Sequence, residues 1–118
     1  MSKPRFSFIY LLLLLISFNS KAQVNLDSLW NVWNNETQPD TNRLEAMQRI
    51  AWDGYLFSQP DSAFYFAQME YDFAESRNNK KWMATSLYIQ GVSFAIRGNY
   101  EKALQFLLIS VSIRKELG

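Results

Sequence analysis

Leu87-Tyr88-Ile89-Gln90-Gly91-Val92-Ser93-Phe94-Ala95-Ile96-Arg97-Gly98-Asn99-Tyr100-Glu101-Lys102-Ala103-Leu104-Gln105-Phe106-Leu107 is the stretch whose reading decides the fold. Neither arm alternates apolar and polar residues with period two, and Gly98-Asn99 breaks the run in its middle. It therefore reads as a helical hairpin, with a third helix over about Lys80–Arg97 and a fourth over about Tyr100–Leu117. Gly91 and Ala103 are small enough to let the two helices approach, because helix separation depends on the side chains at the contact. Leu87, Phe94 and Leu107 fill the space between them.

The same pattern appears one hairpin earlier. A first helix over about Thr41–Phe57 and a second over about Asp61–Asn78 are split by Ser58-Gln59-Pro60. Ala63 opens the second helix as Asp61-Ser62-Ala63-Phe64, and Ala103 opens the fourth as Glu101-Lys102-Ala103-Leu104, 40 residues later. A helix–turn–helix unit recurring at such a period is the mark of a helical solenoid. The second helix carries one narrow polar stripe of Asp61, Tyr65, Gln68, Asp72 and Glu75. Around it stand Ala63, Phe64, Phe66, Ala67, Met69, Tyr71, Phe73 and Ala74, so the helix must be covered on more than one side. Upstream, Leu26, Leu29, Trp30 and Trp33 follow i, i+3, i+4, i+7 spacing and predict a short amphipathic helix within Val24–Asn35, with Asn25 or Asp27 near its start. Glu36–Asp40 is a turn, since Pro39 cannot continue a helix, and Asp40 or Thr41 can cap the next one. The chain is expected to be all-α.

Residues 1–22 read as a secretory signal peptide. Lys3 and Arg5 precede an apolar run from Phe6 to Phe18, and Ser20-Lys21-Ala22 fits a small-x-small cleavage pattern with the cut between Ala22 and Gln23. That run of 13 positions is shorter than the about 18 apolar residues that a spanning helix needs. The competing reading is an uncleaved N-terminal anchor. The organisation expected is therefore a signal peptide over 1–22, a leading helix and turn over 23–40, a first repeat over 41–79 and a second over 80–118.

Composition narrows the function. The 118 residues hold no Cys and no His, which removes disulfides, thiol nucleophiles, imidazole bases and the commonest metal ligand. A net charge of +1 gives no electrostatic reason for nucleic acid as a partner. Lys3, Arg5 and Lys21 leave with the signal, so 9 basic residues face 11 acidic ones and the mature chain carries −2. Asp53-Gly54, Asp61-Ser62 and Lys80-Lys81 read as helix-surface or helix-start features. The carboxylates are scattered, with no pair placed for acid–base work. No cofactor and no metal is expected.

Leu87, Gly91, Phe94, Ala103 and Leu107 resemble the large, small, aromatic, small and large positions of the tetratricopeptide repeat (TPR). The second repeat departs from that pattern at Ser110 and Lys115. The first is looser: Ala51 and Ala63 fit, but Gly54 stands where an aromatic is usual, and 40 residues exceed the common period of about 34. The resemblance implies a groove lined by the first helix of each repeat, hence by Gln48, Trp52, Tyr55, Thr85, Tyr88 and Val92. Aromatics with polar tips suit peptide recognition. Trp52 and Tyr55 can instead pack against the leading helix through Trp30 and Trp33, and the residues leave both roles open. A carboxylate-clamp groove is disfavoured, because Gln48, Trp52 and Ile89 stand where Lys and Asn would be required.

A narrower likeness runs along Ala51-Trp52-Asp53-Gly54-Tyr55-Leu56-Phe57-Ser58-Gln59-Pro60-Asp61-Ser62-Ala63-Phe64-Tyr65-Phe66-Ala67. It is similar to the exported N-terminal region of bacterial TPR-containing adenylate/guanylate cyclases, and related regions precede histidine kinases. The likeness implies a non-catalytic periplasmic interaction or sensing module, with a protein or peptide partner and a membrane link only through export or a downstream anchor. The alternatives are the sensory region of a TPR histidine kinase or regulator and a free periplasmic TPR adaptor. The array is expected to continue past Gly118, and a two-repeat fragment is expected to be marginally stable or to associate through its last helix.

Overall fold

The computed structural model describes residues 24–118, so the expected signal segment and its Ala22–Gln23 cleavage point lie outside the described residues. The described chain is helical, with no strand: α1 is Leu26–Asn34, α2 is Asp40–Arg49 and runs directly into a π-helical turn over Ile50–Tyr55, α3 is Pro60–Ser76, α4 is Lys80–Ile96 and α5 is Tyr100–Leu117. From Asp40 onward a helix opens every 20 residues, at Asp40, Pro60, Lys80 and Tyr100.

The corners explain that rhythm. Asn78 at φ 52° and Gly98 at φ 83° take the left-handed conformation that turns a helix end. The Asn78 N–H donates to the Glu75 carbonyl at 3.0 Å and the Asn79 N–H to the Ala74 carbonyl at 2.9 Å. Gly98 and Asn99 repeat the pair on Ala95 at 3.0 Å and Phe94 at 2.9 Å. The side chains of Asn79 and Asn99 then accept the N–H groups of Trp82 and Lys102, capping the next helix. One residue thus ends one helix and begins another. The remaining α-corner uses Pro60 at the first helical position, where its missing N–H costs nothing.

Several sequence expectations need correction. Asp40 lies inside α2 as a first-turn acid and Pro39 holds the cap position, so neither Asp40 nor Thr41 is the cap. Asn25 is the residue that caps α1, accepting the Ser28 N–H at 3.1 Å. The expected first helix over Thr41–Phe57 is α-helical only to Arg49; the π turn that follows was not readable from residue periodicity.

Neighbouring helices run antiparallel, as their end-to-end ion pairs show. Asp40 at the start of α2 meets Arg77 beyond α3 at 3.0 Å, Asp61 at the start of α3 meets Arg97 beyond α4 at 2.6 Å, and Lys80 at the start of α4 meets Glu116 near the end of α5 at 3.4 Å. These pairs are solvent-exposed and set orientation more than stability. α4 lies between α3 and α5, while α1 closes the other side by packing on α2 and the π turn.

Burial recurs with the 40-residue offset. Leu44 and Ala84, Ala46 and Ser86, Met47 and Leu87, Ile50 and Gln90, Ala51 and Gly91, Ala63 and Ala103, and Glu70 and Ser110 are all buried. At Gly91 a Cβ would lie 2.8 Å from Leu107 Cγ and 3.2 Å from the Ala103 carbonyl oxygen. α4 and α5 therefore touch through Gly91, with Leu107 seated on its backbone. Phe94 is half-buried and joins three helices, its ring 5.1 Å from Phe64 of α3 and 5.3 Å from Phe106 of α5. In the first pair the corresponding position is Gly54, where a Cβ would meet Leu26 Cδ2 at 2.7 Å. Trp30 of α1 instead supplies the ring, 5.3 Å from Phe66, the counterpart of Phe106. Gly54 is thus small because α1 occupies the space that an aromatic fills in the second pair.

Gly91→Ala should destabilise the protein by about 1–3 kcal/mol through overpacking, read by denaturant unfolding. The cost should fall in a Leu107→Ala background, making the double variant less than additive. Additivity of the two would show that Leu107 does not rest on Gly91.

Candidate functional site

The π turn decides which aromatics are available. Its i→i+5 geometry puts residues five apart on one face. Ile50 and Tyr55 accordingly share the cluster formed with Trp33 and Met47, and the Tyr55 ring lies 5.0 Å from Phe66. Tyr55 is therefore turned into the core beside the α1 aromatics and away from the expected groove. Trp52 takes a different course. Its ring stacks on Tyr88 of α4 at 5.8 Å with an interplanar angle of 13°, and meets Phe57 edge-on at 6.0 Å.

Of the other expected groove residues, Thr85 donates to the Lys81 carbonyl at 3.1 Å and accepts from Arg114 Nη2 at 3.4 Å. Gln48 and Val92 are half-buried on α2 and α4. The structure thus brings Trp52 to Tyr88 and Thr85 to Arg114, and leaves Tyr55 elsewhere. Tyr88 is 44% exposed and Phe57 72% exposed, so this aromatic face is accessible to solvent. Tyr88 also lines an open apolar cavity of about 500 Å³ with Leu107, Ser110, Val111 and Arg114. A second cavity of about 210 Å³ lies between α1 and α2, lined by Leu29, Gln38, Asn42 and Arg49 among others, and includes none of the expected groove residues.

Sequence reasoning missed Phe57, Arg114 and Glu70. Arg114 was within reach, because Leu107, Ser110 and Arg114 follow i, i+3, i+7 spacing along one helix face. Ser110 is buried and satisfied, donating to the Ala84 carbonyl at 2.7 Å. Glu70 is its counterpart 40 residues earlier and is not satisfied: the residue is fully buried and neither carboxyl oxygen has a hydrogen-bond partner. Burial holds its carboxyl well above the ordinary range, an effect that the neighbouring Ser86 hydroxyl reduces.

Among the described residues no group of acids is placed to hold a metal ion, and no helix is long and apolar enough to cross a membrane. The exposed carboxylates of Asp40, Asp53, Asp61 and Glu116 are engaged with Arg77, Arg49, Arg97 and Lys80. What the Trp52–Tyr88 face offers is stacking area, apolar volume and one guanidinium at its edge. Comparison with models of protein families, with curated proteins and with solved structures returns no match, so function is argued from this geometry.

Tyr55→Ala should cost about 3–5 kcal/mol of stability, as expected for truncating a packed aromatic. Tyr88→Ala should cost no more than about 1.5 kcal/mol, the worth of an aromatic pair at a wet site. Equal losses in chemical denaturation would mean that the two tyrosines are not divided between core and surface.

Proposed function

We propose that this chain is a non-catalytic interaction or sensing module of TPR type, in the exported part of a signal-transduction protein resembling the adenylate/guanylate cyclase group. Its partner is a protein or peptide held on the face formed by Trp52, Tyr88 and the adjoining apolar cavity. The observation that carries this reading is the Trp52–Tyr88 stack at 5.8 Å, standing at the solvent beside a cavity of about 500 Å³. Rigid rings give large contact area at low entropy cost, and half-exposed rings already held by one neighbour lose little freedom on binding. Arg114 at the cavity edge favours a partner with a carboxylate near its apolar anchor.

The stacked-repeat part of the proposal is supported by the second pair's likeness to the first. On α3, Phe64 and Gln68 are covered by α4, through the Phe94 ring at 5.1 Å and the Gln90 amide at 2.9 Å. On α5 the same offset gives Leu104 and Leu108, which are 57% and 58% exposed. α5 therefore presents exposed apolar residues at the positions through which α3 meets α4.

Selection from a random peptide library on the immobilised protein tests the partner class. Enriched peptides should pair an apolar residue with an acidic one, and should lose at least about ten-fold in affinity against Tyr88→Ala, with Arg114→Glu also weakening them. A library that yields no binders, or binders indifferent to Trp52, Tyr88 and Arg114, would contradict the proposal.

A further inference from the structure

Glu70 is the one described side chain whose buried polar atoms are left without any partner. It stands on α3 in the stripe Ala63, Ala67, Glu70, Ala74 that faces inward, between two small residues that bring the neighbouring helices close. Across the seam, α4 presents Ser86, whose hydroxyl already donates to the Trp82 carbonyl at 2.9 Å. No cation compensates the acid from any helix packed around it. On α2 and its π turn, Arg43 lies over the Trp33 and Phe73 rings and Arg49 pairs with Asp53, while Glu45 is exposed. On α4, Lys80 pairs with Glu116, Lys81 is exposed, and Arg97 beyond its end pairs with Asp61. On α5, Lys102 lies over Phe94 and Arg114 donates to Thr85. On α3 itself, Asp72 and Glu75 are exposed, and α1 contributes only Asp27, also at the solvent. The equivalent position of the second pair carries Ser110, a residue that meets the same geometry without a charge.

We propose that the α3–α4 seam is a pH-responsive joint in which the proton on Glu70 holds the two helix pairs together and its loss loosens them. A neutral carboxyl can sit in this seam, whereas a carboxylate there has no counter-charge and only the Ser86 hydroxyl close enough to ease its burial. The direction follows from linkage. Unfolded Glu70 gives up its proton near the ordinary value of about 4.3, while the folded chain keeps it to higher pH. Between those two points the native state binds more protons, so Glu70's contribution to stability is fully present below the unfolded value and is lost as pH rises from there to the folded value. The exposed ion pairs are common to every variant and cancel in a comparison. In an exported module the joint would sense the pH outside the cell, although the device itself does not depend on the function proposed above.

The test is the pH dependence of denaturant unfolding for the unmodified protein and for Glu70→Gln, at pH 5 and pH 8. The ratio of the variant's folding equilibrium constant to that of the unmodified protein should be about ten-fold or more larger at pH 8 than at pH 5. Glu70→Ser, which copies the residue at position 110, should behave as Glu70→Gln does and serves if the glutamine variant folds poorly. A carbon-detected NMR titration of the Glu70 carboxyl in the unmodified protein needs no variant, and should show it titrating well above the ordinary range. The same pH slope with and without the acid, or a Glu70 carboxyl titrating near about 4.3 as in model peptides, would overturn the proposal.

Discussion

The approach of α4 to its two neighbours constrains the rest of the fold. On one side Leu107 of α5 rests on the bare backbone of Gly91, with the Ala103 carbonyl directly behind it. On the other, Ile89 is buried in a cluster with Ala51 and Ala67, so the seam toward α2 and α3 is also lined by small residues. Helices this close leave no room for a long side chain at the contact, and interiors packed to crystal density do not absorb one. Large rings are displaced to the edges of the seams, where Phe64, Phe94 and Phe106 fill one corner and Trp30, Tyr55 and Phe66 another. The same crowding makes Glu70 anomalous, since the seam that excludes bulk also excludes the water and counter-ions a carboxylate needs.

α5 could be read from residues alone, and for a physical reason. Its start is fixed by Gly98-Asn99, whose backbone and side-chain chemistry serve only a helix corner. The 40-residue offset between Ala63 and Ala103 was likewise legible, because small residues at a helix contact leave a periodic trace. The π turn over Ile50–Tyr55 left none. Its effect is a change of residues per turn, which residue spacing does not report: it sets Tyr55 with Ile50 in the core while Trp52 goes to Tyr88. Glu70 was invisible for a related reason. In a helix covered on more than one side, a polar residue no longer marks the solvent face, and only the packing of α4 shows which acids are enclosed. The role of α1 in taking the place of an aromatic at position 54 depends on contacts across more than 25 residues, which no local pattern reports.

Functionally, the arrangement separates rigid and available aromatics. Trp30, Trp33 and Tyr55 are committed to holding α1 against the first helix pair, and Arg43 is committed with them, donating to the Trp33 carbonyl at 2.8 Å. Trp52 rests on the Ala51, Ala67 and Ile89 cluster and holds Phe57 and Tyr88, which face solvent. The surface they form offers apolar area and ring faces.

If α4 is the member on which the fold depends, it must be the last to open. Native-state hydrogen exchange measures this directly, because amides released only by global unfolding report the full stability and others exchange by local opening. The amides of Ile89, Gln90, Gly91, Val92 and Ser93 should be the slowest in the chain and should share one opening free energy, equal to that from denaturant unfolding. Those of α1 and the last turn of α5 should exchange faster through local opening. Slowest exchange in α1 or α2, with α4 opening before them, would contradict the account.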